Sequence, residues 1–235
     1  MFTPIVAIFL GVPLTTALGY ALPGPYSLAL CQASLAVGLL WFYSRKQELG
    51  RALGGLLIWA AWLIPVSVAF DYFLPELSSE KIPQGTSYWL EMSRWIREGV
   101  GTEAEPRVFI GRQLRDLVLI CGASFLTGGA AGLFGGVLLM GKMNFYVATL
   151  LSEAADPWTA ALYAWQPYAL VRVAGYVLVG GVAAQPLLGQ LSGFKPNKKA
   201  LLYLILGLML VFLDLILKTA LQPHWREALK RASGL

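Results

Sequence analysis

Long apolar runs, each ended by a short polar or aromatic segment, set the pattern of this chain. Residues 2–22 contain no charged side chain and are long enough to cross a hydrocarbon core of about 30 Å. No basic segment precedes them, because the first Lys or Arg is Arg45, so they read as a retained span and not a cleaved leader. Pro23-Gly24-Pro25 makes a turn, and residues 26–43 form a second span ending in Trp41, Phe42 and Tyr43, an aromatic belt at an interface. A third span covers 52–70. The positive-inside rule puts the turn carrying Arg45, Lys46 and Arg51, and the amino terminus with it, in the cytoplasm.

The longest polar stretch, 71–116, mixes acids and bases around an apolar stripe. Trp89, Met92, Trp95 and Ile96 fall on one face of a helix predicted over 87–100, with Glu91, Arg94, Arg97 and Glu98 opposite. Ser87 is its expected N-cap, and Gly99 or Gly101 ends it. An interfacial helix of this kind, on the extracytoplasmic side, serves either as a lid on the protein's own outer face or as a docking surface for a partner.

In the uncharged run 117–140, Ser124, Gly128, Gly132 and Gly136 recur every fourth residue. That spacing places them on one helix face, where another backbone can approach closely, so a glycine zipper packing against a neighbour in the same chain or a second copy is expected. The span should return to the cytoplasm at Lys142. Glu153, Asp156 and Pro157 interrupt 145–167, which predicts two half-helices in a re-entrant hairpin. Spans at 169–188 and 200–221 follow, and the tail from His224 carries Arg226, Lys230 and Arg231. Six spans keep both termini cytoplasmic but leave Lys195, Lys198 and Lys199 outside against the rule; a seventh span at 145–166 moves the tail outside instead. Six is favoured, because two acids beside a proline are costly in a lipid-facing helix.

The expected fold is therefore all-α, a polytopic helical bundle forming one integral membrane domain. It comprises three spans in 1–70, an extracytoplasmic loop at 71–116, a helical core at 117–223 and a cytoplasmic basic tail at 224–235. Composition agrees: 57% of the 235 residues are hydrophobic and 13% charged, too apolar for a soluble domain of this size. The net charge of +5 would suit nucleic acid, but the basic residues lie in short clusters beside spans, where they meet anionic lipid or hold a loop in the cytoplasm. Nucleic acid is thus not an expected partner; the lipid bilayer and other membrane subunits are, in a prokaryotic inner membrane or its equivalent. Cys31 and Cys121 fall in apolar spans and read as small buried hydrophobes. No cofactor is expected, since His224 is the only histidine and there is no phosphate loop, His-Glu-x-x-His, paired CxxC or Gly-x-Ser-x-Gly.

Charges within spans are costly and mark candidate sites. They are Arg172, Asp214 and Lys218. If the last two spans form an antiparallel hairpin, 1.5 Å per residue sets Arg172 level with about residue 216, which Asp214 and Lys218 bracket. Asp214 needs a cation, and Arg172 or Lys218 can supply it. The cluster serves as a structural ion pair, a proton or anion relay, or snorkelling charges. Glu153 and Asp156, three apart at the helix break, form a possible polar site for a cation or proton; alternatively Asp156 caps a helix that opens with Pro157.

Three features of 106–223 follow one another in a recognisable order: the Gly-rich stretch 128–136, the run Pro167-Tyr168-Ala169-Leu170-Val171-Arg172 leading to Gly175, Gly180 and Gly181, and Asp214 before Thr219 and Pro223. In order and spacing this half resembles the stage II sporulation protein M-like family of integral membrane proteins. That family's Pro-His-Gly-x-x-Glu pattern is altered here to Tyr168, Ala169 and Arg172. The resemblance implies a membrane scaffold acting with cell-wall remodelling partners. With no catalytic motif beside conspicuous packing devices, the expected function is a non-catalytic subunit of a larger complex. The alternatives are a small transporter or channel, with its site at 145–167 and the Arg172/Asp214 pair, and a lipid-directed membrane enzyme lacking a visible nucleophile.

Overall fold

The apolar runs fold as helices because a backbone in lipid must satisfy its own hydrogen bonds. The computed structural model describes residues 3–193 and 198–234, so expectations about Lys195 lie outside the described residues. All its regular elements are helical: α1 (Thr3–Ala21), α2 (Ser27–Arg45), α3 (Leu49–Phe73), α4 (Pro75–Lys81), α5 (Gly85–Glu98), α6 (Pro106–Thr127), α7 (Ala130–Glu153), α8 (Pro157–Ala164), α9 (Pro167–Ala183), α10 (Gln185–Ser192) and α11 (Ala200–Ser233). Among the described residues five segments are long and apolar enough to cross a membrane, namely Ser27–Arg45, Leu49–Phe73, Ala130–Glu153, Pro167–Leu191 and Ala200–Ser233. The shorter Ile5–Ala21 is apolar as well.

Cross-chain hydrogen bonds define two ends of the bundle. At the loop end, Trp41 Nε1 donates to Gly128 O (2.9 Å) and Gln185 Nε2 to Ser44 Oγ (3.2 Å). At the cap end, Lys81 Nζ donates to Leu22 O, Arg226 Nε to Trp95 O (2.9 Å) and Trp225 Nε1 to Tyr163 O (2.8 Å). Helices α1, α2, α3, α6, α7, α9 and α11 run between these ends, while α4, α5 and α8 form the cap. The N-terminal end of α1 and the C-terminal end of α11 therefore lie at opposite ends of the bundle. This corrects the scheme that set the 87–100 helix and the basic tail on opposite sides of the membrane, since Arg226 and Lys230 bond the backbone of α5 directly.

The single span expected at 117–140 is divided. Gly128 and Gly129 both adopt positive φ, +60° and +93°, conformations that cost a Cβ-bearing residue, and the chain reverses between α6 and α7. Thr127 Oγ1 joins the two arms by donating to Ala123 O (2.6 Å) and accepting from Ala131 N (2.9 Å). Lys142 consequently lies inside α7, not at a cytoplasmic turn. A break does occur near Asp156, but α7 is continuous to Glu153 and only the short α8 follows, so the two half-helices expected at 145–167 become a full helix and one cap helix. The tail also differs from expectation. Pro223 sits inside α11, which at 34 residues is about 51 Å long and overshoots a 30 Å core, so its last turns pack on the cap with Leu229 fully buried.

Close helix crossings hold the bundle. At the α9/α11 contact a Cβ on Gly175 would lie 3.0 Å from Gly207 O, and one on Gly207 would lie 3.1 Å from Gly175 O, so the two backbones touch. Gln32 Nε2 donates to Thr16 Oγ1 and Ser67 Oγ, both at 3.1 Å, tying α1, α2 and α3 together through one buried amide. Tyr20, Asp71 and Ser78 form a second buried polar knot where α4 meets α1. Outward faces stay apolar, with Leu201, Met209, Phe212 and Ile216 of α11 and Val118, Leu119 and Leu126 of α6 exposed as lipid-facing side chains.

Candidate functional site: a charged cavity under the cap

Arg172 enters on the second turn of α9, which opens with Pro167 at its first position, and Asp214 lies on the facing stretch of α11. The Gly175/Gly207 crossing brings these helices close enough for Arg172 Nε to donate to Asp214 Oδ2 at 3.1 Å. Asp214 is fully buried and also accepts from Gln113 Nε2 of α6. Tyr176 Oη donates to Gln113 O at 2.9 Å, so α6, α9 and α11 share one polar network.

Lys218, also buried, does not pair with Asp214. It donates to Glu103 Oε2 at 2.5 Å, and its ammonium lies 4.2 Å from the centre of the Phe109 ring. Gln222 Nε2 fixes the Glu103 backbone by donating to its carbonyl (2.8 Å). Burial pushes the Glu103 carboxyl up; the charges of Lys218 and Arg172 more than reverse this and leave it below the usual carboxylate range. Glu103, Gln113 and Arg112 were invisible as site residues in the sequence. They sit in a polar stretch read as a surface loop, and nothing local marks the partners of Glu103 and Gln113 over 100 residues away, or that of Arg112 21 residues back at Glu91.

Beside this network lies a cavity of about 400 Å³, walled by α5, α6, α7 and α9. Its cap-end wall carries Glu91, Arg112, Arg115, Asp116, Lys142 and Arg172. Arg112 Nη1 pairs with Glu91 Oε1 at 3.2 Å, and Arg115 with Asp116 at 2.9 Å. Lys142 Nζ donates to the neutral Gln84 Oε1 at 2.7 Å and pairs with no carboxylate among the described residues. Toward the loop end the wall turns apolar through Ile120, Met140 and Val177.

The four zipper residues play different parts. Gly128 is the positive-φ end of α6. Gly132 packs against Ser124, where an added Cβ would meet Ser124 Oγ at 1.9 Å and Ile120 O at 2.8 Å, so close approach does occur, but between the two arms of the α6/α7 hairpin. Gly136 packs on nothing within 4 Å of an added Cβ and lines the cavity.

Helix α5 is a lid. Trp89, Met92, Trp95 and Ile96 are buried against Tyr146, Val147, Leu150 and Leu229 of α7 and α11, which corrects the reading of this face as an external docking surface. The face carrying Tyr88 and Glu91 turns to the cavity. Its N-cap position is Gln84 and not Ser87, whose hydroxyl instead donates to Gln84 O. Glu153 and Asp156 form no joint site: Glu153 is exposed at the end of α7, and Asp156 caps α8, accepting from Thr159 N (3.2 Å) and Thr159 Oγ1 (2.5 Å). These Thr159 bonds hold the Asp156 carboxyl below its ordinary range. Among the described residues no group of three His, Cys, Asp or Glu could hold a metal ion, and both cysteines are free. The chain matches no family model, no characterised protein and no solved structure.

Proposed function

We propose that this chain is a carrier, an integral membrane protein that holds a small ligand in the cavity between α5, α6, α7 and α9 and performs no chemistry on it. The observation that carries this reading is the joining of that 400 Å³ cavity, through Arg172 in its wall, to the fully buried Asp214 carboxylate. A cavity of this size with a few convergent polar groups suits a small ligand. Charged groups at membrane depth are retained where they face such a cavity. The two features that favoured a scaffold subunit are otherwise employed, the zipper glycines within one hairpin and the aromatic face of α5 in the core. The stage II sporulation protein M-like resemblance adds nothing to either reading, since no family model matches.

Gly136 offers the test. A Cβ there meets no protein atom within 4 Å and opens on the cavity, whereas Gly135, equally open at its Cβ, does not line it. In native mass spectrometry of protein extracted in mild detergent, the unaltered chain and Gly135→Leu should retain a bound small molecule that Gly136→Leu loses. Equal retention by all three, or by none, would overturn the carrier reading.

A further inference from the structure

The cavity wall is graded along the bundle axis. On α9, Arg172 stands nearer the cap and Val177 and Gly180 nearer the loop end; on α6, Arg112 and Arg115 precede Ile120; on α7, Lys142 lies beyond Gly136 in the cap direction. From Arg172 to Gly180 is about 12 Å along a helix. The charged part thus faces the cap, at about the level of Asp214, about 21 Å along α11, and the apolar part lies toward the loop end.

The charges do not balance. Around the cavity and directly behind it stand Arg112, Arg115, Lys142, Arg172 and Lys218 against Glu91, Glu103, Asp116 and Asp214. The four acids are taken up by the four partners already described, and Lys142, within a membrane-spanning helix, has a neutral amide as its acceptor. A cation in that position requires a counter-charge. Arg172 and Arg112 each use one nitrogen on their carboxylate, and their remaining N–H groups bond no acceptor among the described residues. The indole N–H of Trp165, a further cavity residue at this end, likewise has no acceptor among them. The cap end of the cavity is therefore rich in donors and carries one excess positive charge.

We infer that the ligand is an amphiphile with an anionic phosphate head, held by Lys142, Arg112 and Arg172, and with a hydrocarbon chain laid along Ile120, Gly136 and Val177. Phosphate suits the site because its several acceptor oxygens meet guanidinium and ammonium donors from three helices at once. At 400 Å³ the cavity takes a head and the first part of one chain. This inference rests on the carrier reading and adds the ligand's chemistry to it.

Binding of three probes to the full chain in detergent separates the sources of such a phosphate: phosphatidylglycerol, phosphatidylcholine with the same chains, and soluble glycerol phosphate. Phosphatidylglycerol should bind at least tenfold more tightly than phosphatidylcholine, and glycerol phosphate more weakly than either. Losing one charge-assisted contact in Lys142→Gln should lower phosphatidylglycerol affinity roughly tenfold and remove the preference. Gly136→Leu should weaken both lipids. Equal binding of the two lipids with Lys142→Gln indifferent would overturn the anionic head while leaving the carrier reading intact. Glycerol phosphate binding as tightly as phosphatidylglycerol would overturn the chain. Lipid binding untouched by Gly136→Leu would place the ligand elsewhere and defeat both.

Discussion

Alanine at Gly132 and at Gly136 should act in opposite directions, although the residues are one helical turn apart in the same helix. In a helix interior, replacing glycine by alanine stabilises by about 0.5–1 kcal/mol because the unfolded chain loses freedom. At Gly136 nothing opposes this, since an added Cβ meets no atom within 4 Å. At Gly132 the Cβ would lie 1.9 Å from Ser124 Oγ and 2.8 Å from the Ile120 carbonyl. The hydroxyl can rotate away, but the carbonyl belongs to the α6 backbone and moves only if the two arms of the hairpin part. Overpacking of this kind costs about 1–3 kcal/mol, which offsets the helix gain and leaves Gly132→Ala net destabilised by up to about 2.5 kcal/mol. Thermal unfolding in detergent reads the difference, as about 2–4 °C per kcal/mol for a chain of this length. Gly136→Ala should melt above the parent and Gly132→Ala below it, with Ser124→Ala restoring part of the loss. If 117–140 were one continuous helix with a zipper face, both positions would answer alike. Equal shifts would refute the hairpin.

Other parts of the structure answer to similar tests. Asp214→Asn leaves the half-buried Arg172 without its counter-charge and should lower stability by about 1.5–3 kcal/mol in the same melt, whereas Arg172→Met with Asp214→Leu should recover most of it; a double variant no better than the single would show that the pair is not coupled. The depressed Glu103 carboxyl contributes stability that is present above the ordinary glutamate value of about 4.3 and lost as pH falls through its lower folded value, so melting temperature should drop below about pH 4 and Glu103→Gln, weaker at neutral pH, should flatten that limb. Leu229→Ala, in the extension of α11 that packs on the cap, should cost about 2–5 kcal/mol; a cost near zero would return 224–234 to the status of a loose tail. Single cysteines at positions 46 and 231 should react with an impermeant maleimide from opposite faces of a sealed membrane.

Much of this architecture was legible because lipid leaves the backbone few options. Apolar runs gave α1, α2 and α3 to within a few residues, and the stripe Trp89, Met92, Trp95, Ile96 gave α5. The Arg172/Asp214 contact follows from depth counting along two antiparallel helices. The α6/α7 turn was hidden because Gly128 and Gly129 lie in a run of small residues that reads equally well as a zipper; their positive φ arises from the reversal itself and leaves no mark in hydropathy. Pro223 read as an exit although α11 continues through it, held by Trp225 and Arg226 bonding to distant carbonyls. Glu103 was missed for a related reason: its value comes from Lys218, and a long-range partner cannot be read from either neighbourhood alone.

The location of the ligand is the claim on which the functional account depends. A phosphatidylglycerol carrying a photoreactive diazirine in its acyl chain, added to the detergent-solubilised protein at stoichiometric amount and mapped by mass spectrometry, tests it most directly. Adducts on Ile120, Met140 and Val177, suppressed in Gly136→Leu, are the predicted result. Adducts confined to outward-facing Leu201, Met209 and Phe212, unchanged in Gly136→Leu, would contradict it.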